Sequence, residues 1–185
     1  MKEILMNFES NEFSMVYEIM RQAFPIAEIR TYEKAYSLLN NEGYQISVIR
    51  DYKNRIGGFI AAWDFDKFRF IEHFAVSKRI RGAGIGSEMM TEYLNQNKKP
   101  VIIEVEGQET RDAKRRVEFY RRLGFSLSKF GYMQPTLQST SQELYLKIMS
   151  YPSGITEDEF YNFKKIVFSQ VYKTTKLLLP YSTEK

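Results

Sequence analysis

Lys78-Arg79-Ile80-Arg81-Gly82-Ala83-Gly84-Ile85-Gly86-Ser87 is the stretch around which the chain is organised. An apolar run, Phe70 to Val76, precedes it and reads as a strand. Ile85, Met89, Met90, Tyr93 and Leu94 follow at helical spacing. The stretch is therefore a strand-to-helix turn with three glycines and three cationic side chains. Gly82, Gly84 and Gly86 let a ligand approach the backbone closely. The first amides of a helix lack intrahelical partners and sit at its positive end. A phosphate is the natural partner of such a turn. The P-loop pattern is excluded, because no lysine stands where it requires one. The dinucleotide fingerprint is excluded too, since Ser87 replaces its third glycine.

Composition narrows the classes. The 185 residues suggest one main domain with an embellishment, and 43% apolar residues suffice for a sizeable core. Cysteine is absent and histidine occurs once, which excludes disulfides, thiolate metal sites and multi-histidine zinc sites. No metal is expected. No apolar run approaches the roughly 20 residues of a membrane helix. The opening residues are too short in their apolar part for a secretory signal. A cytoplasmic protein without a membrane partner is the expectation. The net charge of +4 would steer an anion, but no basic run interleaved with aromatics supports nucleic-acid binding.

The elements read in order as follows. Lys2 to Phe8 is a short opening strand. A helix from Asn11 places Phe13, Val16, Met20 and Phe24 on one face and ends at Pro25. Thr31 caps a second helix with Tyr32, Tyr36 and Leu39 inward. Three strands joined by short polar turns follow: Tyr44 to Arg50, Ile56 to Trp63, with Gly57-Gly58 permitting a bulge, and Phe68 to Ser77. Together they form an antiparallel meander. The glycine turn and its helix then lead to Val101–Val105, a buried strand parallel to the preceding one. Thr110 or Asp112 begins a charged helix through Leu123, which Gly124 ends. Phe125 begins a strand. Phe130 to Thr140 is expected to be a long polar connection, and Gln142 to Met149 a last strand. Thr156-Glu157-Asp158-Glu159 is a capping box before an amphipathic helix of about 16 residues.

Arg81-x-x-Gly84-x-Gly86 resembles the acyl-CoA pyrophosphate loop of the GNAT superfamily of N-acetyltransferases. Two more segments agree in order and spacing. Phe119-Tyr120-Arg121-Arg122-Leu123-Gly124-Phe125 is similar to the family's Phe-Tyr-x-x-x-Gly-Phe, and Glu72 to Ser77 is similar to the strand beneath the acyl group. The resemblance covers residues 1–150, which form the expected domain, with 44–130 the firmest part. Residues 151–185 are expected to be a helical extension, packed on that domain or on a partner subunit. The implied fold is α/β (α+β): a mixed, mostly antiparallel central sheet with one parallel crossover and helices on both faces. One departure stands out. Thr110 to Arg116 lacks the Asn that many members carry, so a contact to the CoA is either lost or supplied by Arg115, Arg116 or another group.

The resemblance implies direct transfer of an acetyl group from acetyl-CoA, as co-substrate, to a primary amine. Gly82, Ala83, Gly84, Ile85, Gly86 and Ser87, with Arg81, would take the pyrophosphate. A bulge at Phe74-Ala75-Val76 would aim backbone amides at the thioester oxygen and hold the pantetheine arm. Tyr120 matches the family's partner for the departing thiolate. With a tyrosine pKa near 10 and a thiol near 8.5, full proton transfer runs uphill by about 2 kcal/mol, so hydrogen bonding is its chief expected role. The attacking amine must be neutral. An α-amine of pKa about 7.8 partly is, whereas a lysine of about 10.4 needs a base. Glu72, directly or through a water, is the expected base and Glu104 the runner-up. Glu28 and Arg30 read as solvated loop charges or substrate contacts. His73 is expected on the face opposite Glu72 and reads as structural. The acceptor is a small-molecule or peptide amine, and a homodimer is compatible with the sequence. A catalytically silent acyl-CoA sensor that presents the C-terminal helix to a partner is the rival reading.

Overall fold

A computed structural model describes residues 5–82, 84–138 and 144–174. Seven strands form one sheet: β1 Met6–Asn7, β2 Tyr44–Arg50, β3 Ile56–Asp64, β4 Arg69–Val76, β5 Val101–Glu106, β6 Ser126–Gln134 and β7 Leu144–Tyr151. Their order is β1-β2-β3-β4-β5-β7-β6, and β4–β5 is the parallel pair. The helices are α1 Phe13–Ala23, α2 Tyr32–Ser37, α3 Ile85–Asn95, α4 Arg111–Arg122 and α5 Glu157–Ile166. This is the expected mixed, mostly antiparallel sheet. No helix among the described residues is long and apolar enough to cross a membrane.

Period-two alternation sends strand side chains to two separate cores. On one face Phe59, Ala61, Phe70 and Ile102 pack with Phe13, Val16 and Met20 of α1 and with Phe160 and Phe163 of α5. On the other, Ile60, Ala62, Ile71 and Ile103 pack with Met89, Met90 and Leu94 of α3 and Val117 and Tyr120 of α4. The caps read from sequence are present. Thr31, Thr110 and Thr156 each accept from a backbone amide of the first helical turn, and Thr156 with Glu159 closes a capping box.

Several expectations need correction. Phe130 to Gln134 belongs to β6 rather than to a connection. Tyr132 is buried opposite Leu146, and a register shift between Leu127 and Gly131 breaks the alternation that would have revealed the strand. In α2 it is Ala35, with Leu38 just beyond, that is buried, while Tyr32 and Tyr36 stay partly exposed against the rim of Phe13. The helix tightens to a 3-10 turn at Leu38–Asn40, which rotates the buried face. Of the opening strand, Met6 and Asn7 pair with β2, and residues 1–4 lie outside the described part. Gln142 and Glu143 also lie outside it. After α5 the chain continues into a π turn, Val167–Val171, whose Val167, Phe168 and Val171 are buried in the first core.

Candidate active site

β4 and β5 pair through Arg69, Phe70 and Ile71 and then part. The separation opens a cleft of about 820 Å³. Its floor is β4 from Glu72 to Val76, which keeps β3 on its other edge. One end is the glycine turn, the other a group of carboxylates.

At the glycine end, Arg81, Gly82, Gly84, Ile85, Gly86 and Ser87 line the cleft. Ala83 lies outside the described residues. Gly82 has φ +117° and Gly84 +81°, a left-handed conformation that side chains disfavour. A Cβ on either would meet nothing within 4 Å, so the requirement is conformational and the space above the turn is open. Gly84 caps α3, whose axis begins at this turn. The Arg81 guanidinium bonds the Val76 carbonyl at 3.0 Å, which holds its charge beside the turn without filling it. These features fit a diphosphate: the positive N-terminal end of α3, open space and a tethered cation. Arg115 and Arg116 also line the cleft, where the family's Asn is missing.

Midway, Phe74 and Phe119 stack at 6.1 Å to form a narrow apolar wall, with Gly86 beside them. Tyr120 borders this section. Its ring is packed edge-on against Phe119 and Phe125. No hydrogen bond ties its hydroxyl among the described residues. Burial pushes its pKa up to about 12, so it stays a proton donor.

The acid end is built from distant segments. The register of β3 and β4 shifts so that Ala61 faces His73 and Ala62 faces Ile71, which makes Glu72 the extra residue of a bulge. The bulge thus lies at Glu72, before Phe74-Ala75-Val76 rather than within it. It also sends Glu72 and His73 to the same face, contrary to strict alternation. Glu72 Oε1 takes Arg30 Nη1, and Oε2 accepts the Trp63 indole N–H at 2.8 Å. Burial alone would raise the Glu72 pKa, but the Arg30 charge and these bonds hold it below the usual range. Arg30 also donates to the Val171 carbonyl at 2.9 Å, so it is a buried clamp between the bulge and the C-terminal turn.

Glu104 alternates with Ile103 on β5 and so faces the α5 side. Tyr132 donates to Oε1, and the Tyr172 hydroxyl lies 2.8 and 2.6 Å from the two oxygens. Burial lifts Glu104 to about 7, the two tyrosines holding it lower than burial alone would. Glu28 also lines the cleft, and burial plus the charge of Glu106 raise it to about 7. His73 Nε2 lies 2.9 Å from the Glu28 carbonyl. A carbonyl only accepts, so Nε2 carries the proton and Nδ1 keeps a lone pair. Nδ1 is buried and has no partner among the described residues. Burial lowers the His73 pKa, partly offset by Glu72, which keeps the ring neutral.

The described site candidates thus line one cleft, Glu72 and Tyr120 included, except Arg30, which is buried behind it against Glu72 and the Val171 carbonyl. Sequence reasoning missed Tyr132 and Tyr172. A lone glutamate in the apolar run Val101–Val105 was the signal for Glu104. Nothing local marked its tyrosines, one of them 68 residues away.

A mixed sheet splayed after one parallel pair, with a glycine turn at the split, defines an acyl-transferring enzyme class. Comparisons with known proteins agree. The family model described as an acetyltransferase (GNAT) domain matches residues 42–127. YjbC of Bacillus subtilis (strain 168), provisionally named an acetyltransferase, is 28% identical over 160 residues, which cover 84% of this chain and 80% of YjbC. A GNAT-family structure from Bacteroides thetaiotaomicron superposes with a TM-score of 0.83 at 27% identity, covering 92% of this chain and 98% of that one. A GNAT superfamily phosphinothricin acetyltransferase from Sinorhizobium meliloti, solved with AcCoA, has a TM-score of 0.59 at 17% identity, covering 85% of this chain and 96% of that one. Together these likenesses support a GNAT superfamily acetyltransferase.

Proposed function

We propose that the protein transfers the acetyl group of acetyl-CoA directly to a primary amine. The observation that carries this is the continuity of the cleft: phosphate turn, apolar neck, free tyrosine hydroxyl and ionisable carboxylates succeed one another along it. The structure from Sinorhizobium meliloti was solved with AcCoA, which supports the same co-substrate here. A cytoplasmic setting, where acetyl-CoA is available, fits the reaction.

Gly82 to Ser87 and Arg81 bind the diphosphate, and the free edge of β4 holds the pantetheine arm. Amides of that edge stabilise the charge that develops on the thioester oxygen. As the amine nitrogen bonds to the acetyl carbon and the C–S bond breaks, Tyr120 donates a hydrogen bond to the sulfur. At a pKa of about 12 against about 8.5 for a thiol, full proton transfer would run uphill by about 5 kcal/mol. Glu104 accepts the proton of the amine, directly or through a water. Its pKa of about 7 leaves it part-ionised at neutral pH, the range in which a general base is effective. Glu72, whose charge is paired with Arg30 and whose pKa lies below the usual range, holds the bulge and positions the site.

The test is thiol release from acetyl-CoA over a panel of amines, with Tyr120→Phe beside wild type. The substitution is expected to lower kcat by about a hundredfold or more. A loss under about threefold would remove Tyr120 from the reaction. Acetyl-CoA binding without turnover of any amine would favour a silent acyl-CoA sensor.

A further inference from the structure

Among the described residues, the acid end of the cleft presents a ligand mainly with hydrogen-bond acceptors. Glu28, Glu104, Glu106 and the largely buried His73 line it, and the buried Nδ1 of His73 has no partner among the described residues. Most donors nearby are committed: Arg30 and Trp63 to Glu72, Tyr132 and Tyr172 to Glu104, and one N–H of Gln134 to the Tyr172 hydroxyl. Arg116 reaches Glu106 only at 3.7 Å, from a side chain 38% exposed. Such a wall needs a ligand rich in N–H donors and poor in acceptors. An alkylammonium has donors alone, whereas a peptide brings carbonyl oxygens that would compete for the few donors left here.

Resting on the transferase reading above, we infer that the acceptor is a linear aliphatic diamine or polyamine. One nitrogen attacks the thioester between Tyr120 and Glu104, while a second, charged nitrogen is held by Glu28 and Glu106 beside His73. The electrostatics support this. Glu28 faces Glu106, Glu104 and Arg116, and Glu104 faces Tyr132, Tyr172, Glu72 and Arg30. Burial lifts both Glu28 and Glu104 to about 7, and the nearby Arg116 and Arg30 charges do not offset it. A bound ammonium supplies the missing charge and drives protons off them. An acceptor with a carboxylate tail meets like charge instead, which is strongly unfavourable.

The experiment compares n-butylamine, putrescine, spermidine, γ-aminobutyrate and a lysine peptide as acceptors in the thiol-release assay. Putrescine or spermidine should exceed butylamine in kcat/KM by about 100-fold, the range of a charge-assisted contact pair. γ-Aminobutyrate should fall below butylamine. Glu28→Gln and Glu106→Gln should each shrink the diamine-over-butylamine ratio by about tenfold. In parallel, calorimetry of wild type with CoA present should show spermidine binding with net proton release at pH 7, read from two buffers of different ionisation enthalpy. Equal or better use of butylamine, γ-aminobutyrate or the peptide overturns the diamine inference and leaves the transferase standing. Spermidine binding with proton release but no turnover of any amine overturns the transferase and leaves the cation site standing. Neither binding nor turnover overturns both.

Discussion

At the glycine end of the cleft the groups that matter follow one another in a single turn, from Lys78 to Ser87. At the acid end Glu72 meets Arg30 across 42 residues and Glu104 meets Tyr172 across 68. The first end is backbone and left-handed glycine, open to solvent. The second is side chains locked by one another inside the fold. A turn can bind whatever carries a phosphate, but a buried carboxylate cluster forms only when the whole sheet and its C-terminal helix are in place. Damage at the two ends should therefore differ in kind: loss of ligand affinity at one, loss of the fold or of proton chemistry at the other.

The largest effect should come from Glu72→Ala. Its pair with Arg30 is nearly dry, with side-chain exposures of 9% for Arg30 and 2% for Glu72. Removing one partner leaves an uncompensated buried guanidinium, which destabilises by about 3–5 kcal/mol. A chemical-denaturation midpoint that barely moves would break the contrast.

Glu104→Gln sharpens it next. The folded pKa of Glu104 is raised from 4.5 to about 7, so the unfolded chain releases this proton first. The protonated carboxyl is what the fold prefers. Its stabilisation is full below pH 4.5 and is lost as pH rises through about 7. Wild type should thus lose about 3 kcal/mol relative to the Gln variant between pH 4 and 8, mostly from about 4.5 to 7. Denaturant titrations at several pH values check this. Parallel curves would show that Glu104 is not held neutral by burial.

The smallest effect belongs to the glycine end. Gly84→Ala must adopt φ near +81° with no steric clash to oppose it. The expected stability loss is about 1–2 kcal/mol, set by the left-handed conformation. The larger signature is a KM for acetyl-CoA raised by about tenfold with kcat little changed, an affinity loss of ~1.4 kcal/mol. Equal loss in kcat would mean that the turn also shapes the reacting end.

The same contrast explains what was legible in the sequence. Arg81-x-x-Gly84-x-Gly86 and the helix periodicity after it are local, and the strand, turn and crossover follow from them. So do the threonine caps, each set by a side chain three residues from its amide. The side chosen by His73 was not readable, because a single extra residue at Glu72 inverts the alternation from that point. β6 was hidden by Ser128-Lys129 and Gly131, polar and flexible residues where the ladder shifts register. Arg30 looked like a loop charge because its partners, Glu72 and the Val171 carbonyl, stand 42 and 141 residues away. The C-terminal extension also reaches the site: the Val171 carbonyl accepts from Arg30 and the Tyr172 hydroxyl donates to Glu104.

A crystal structure of the acetyl-CoA complex tests the assignment of the two ends most directly. The expected result is a diphosphate on the backbone amides between Gly82 and Ser87, with the thioester sulfur within hydrogen-bond reach of the Tyr120 hydroxyl. A diphosphate bound away from that turn, or a sulfur on the far side of Phe74 and Phe119 from Tyr120, would contradict it.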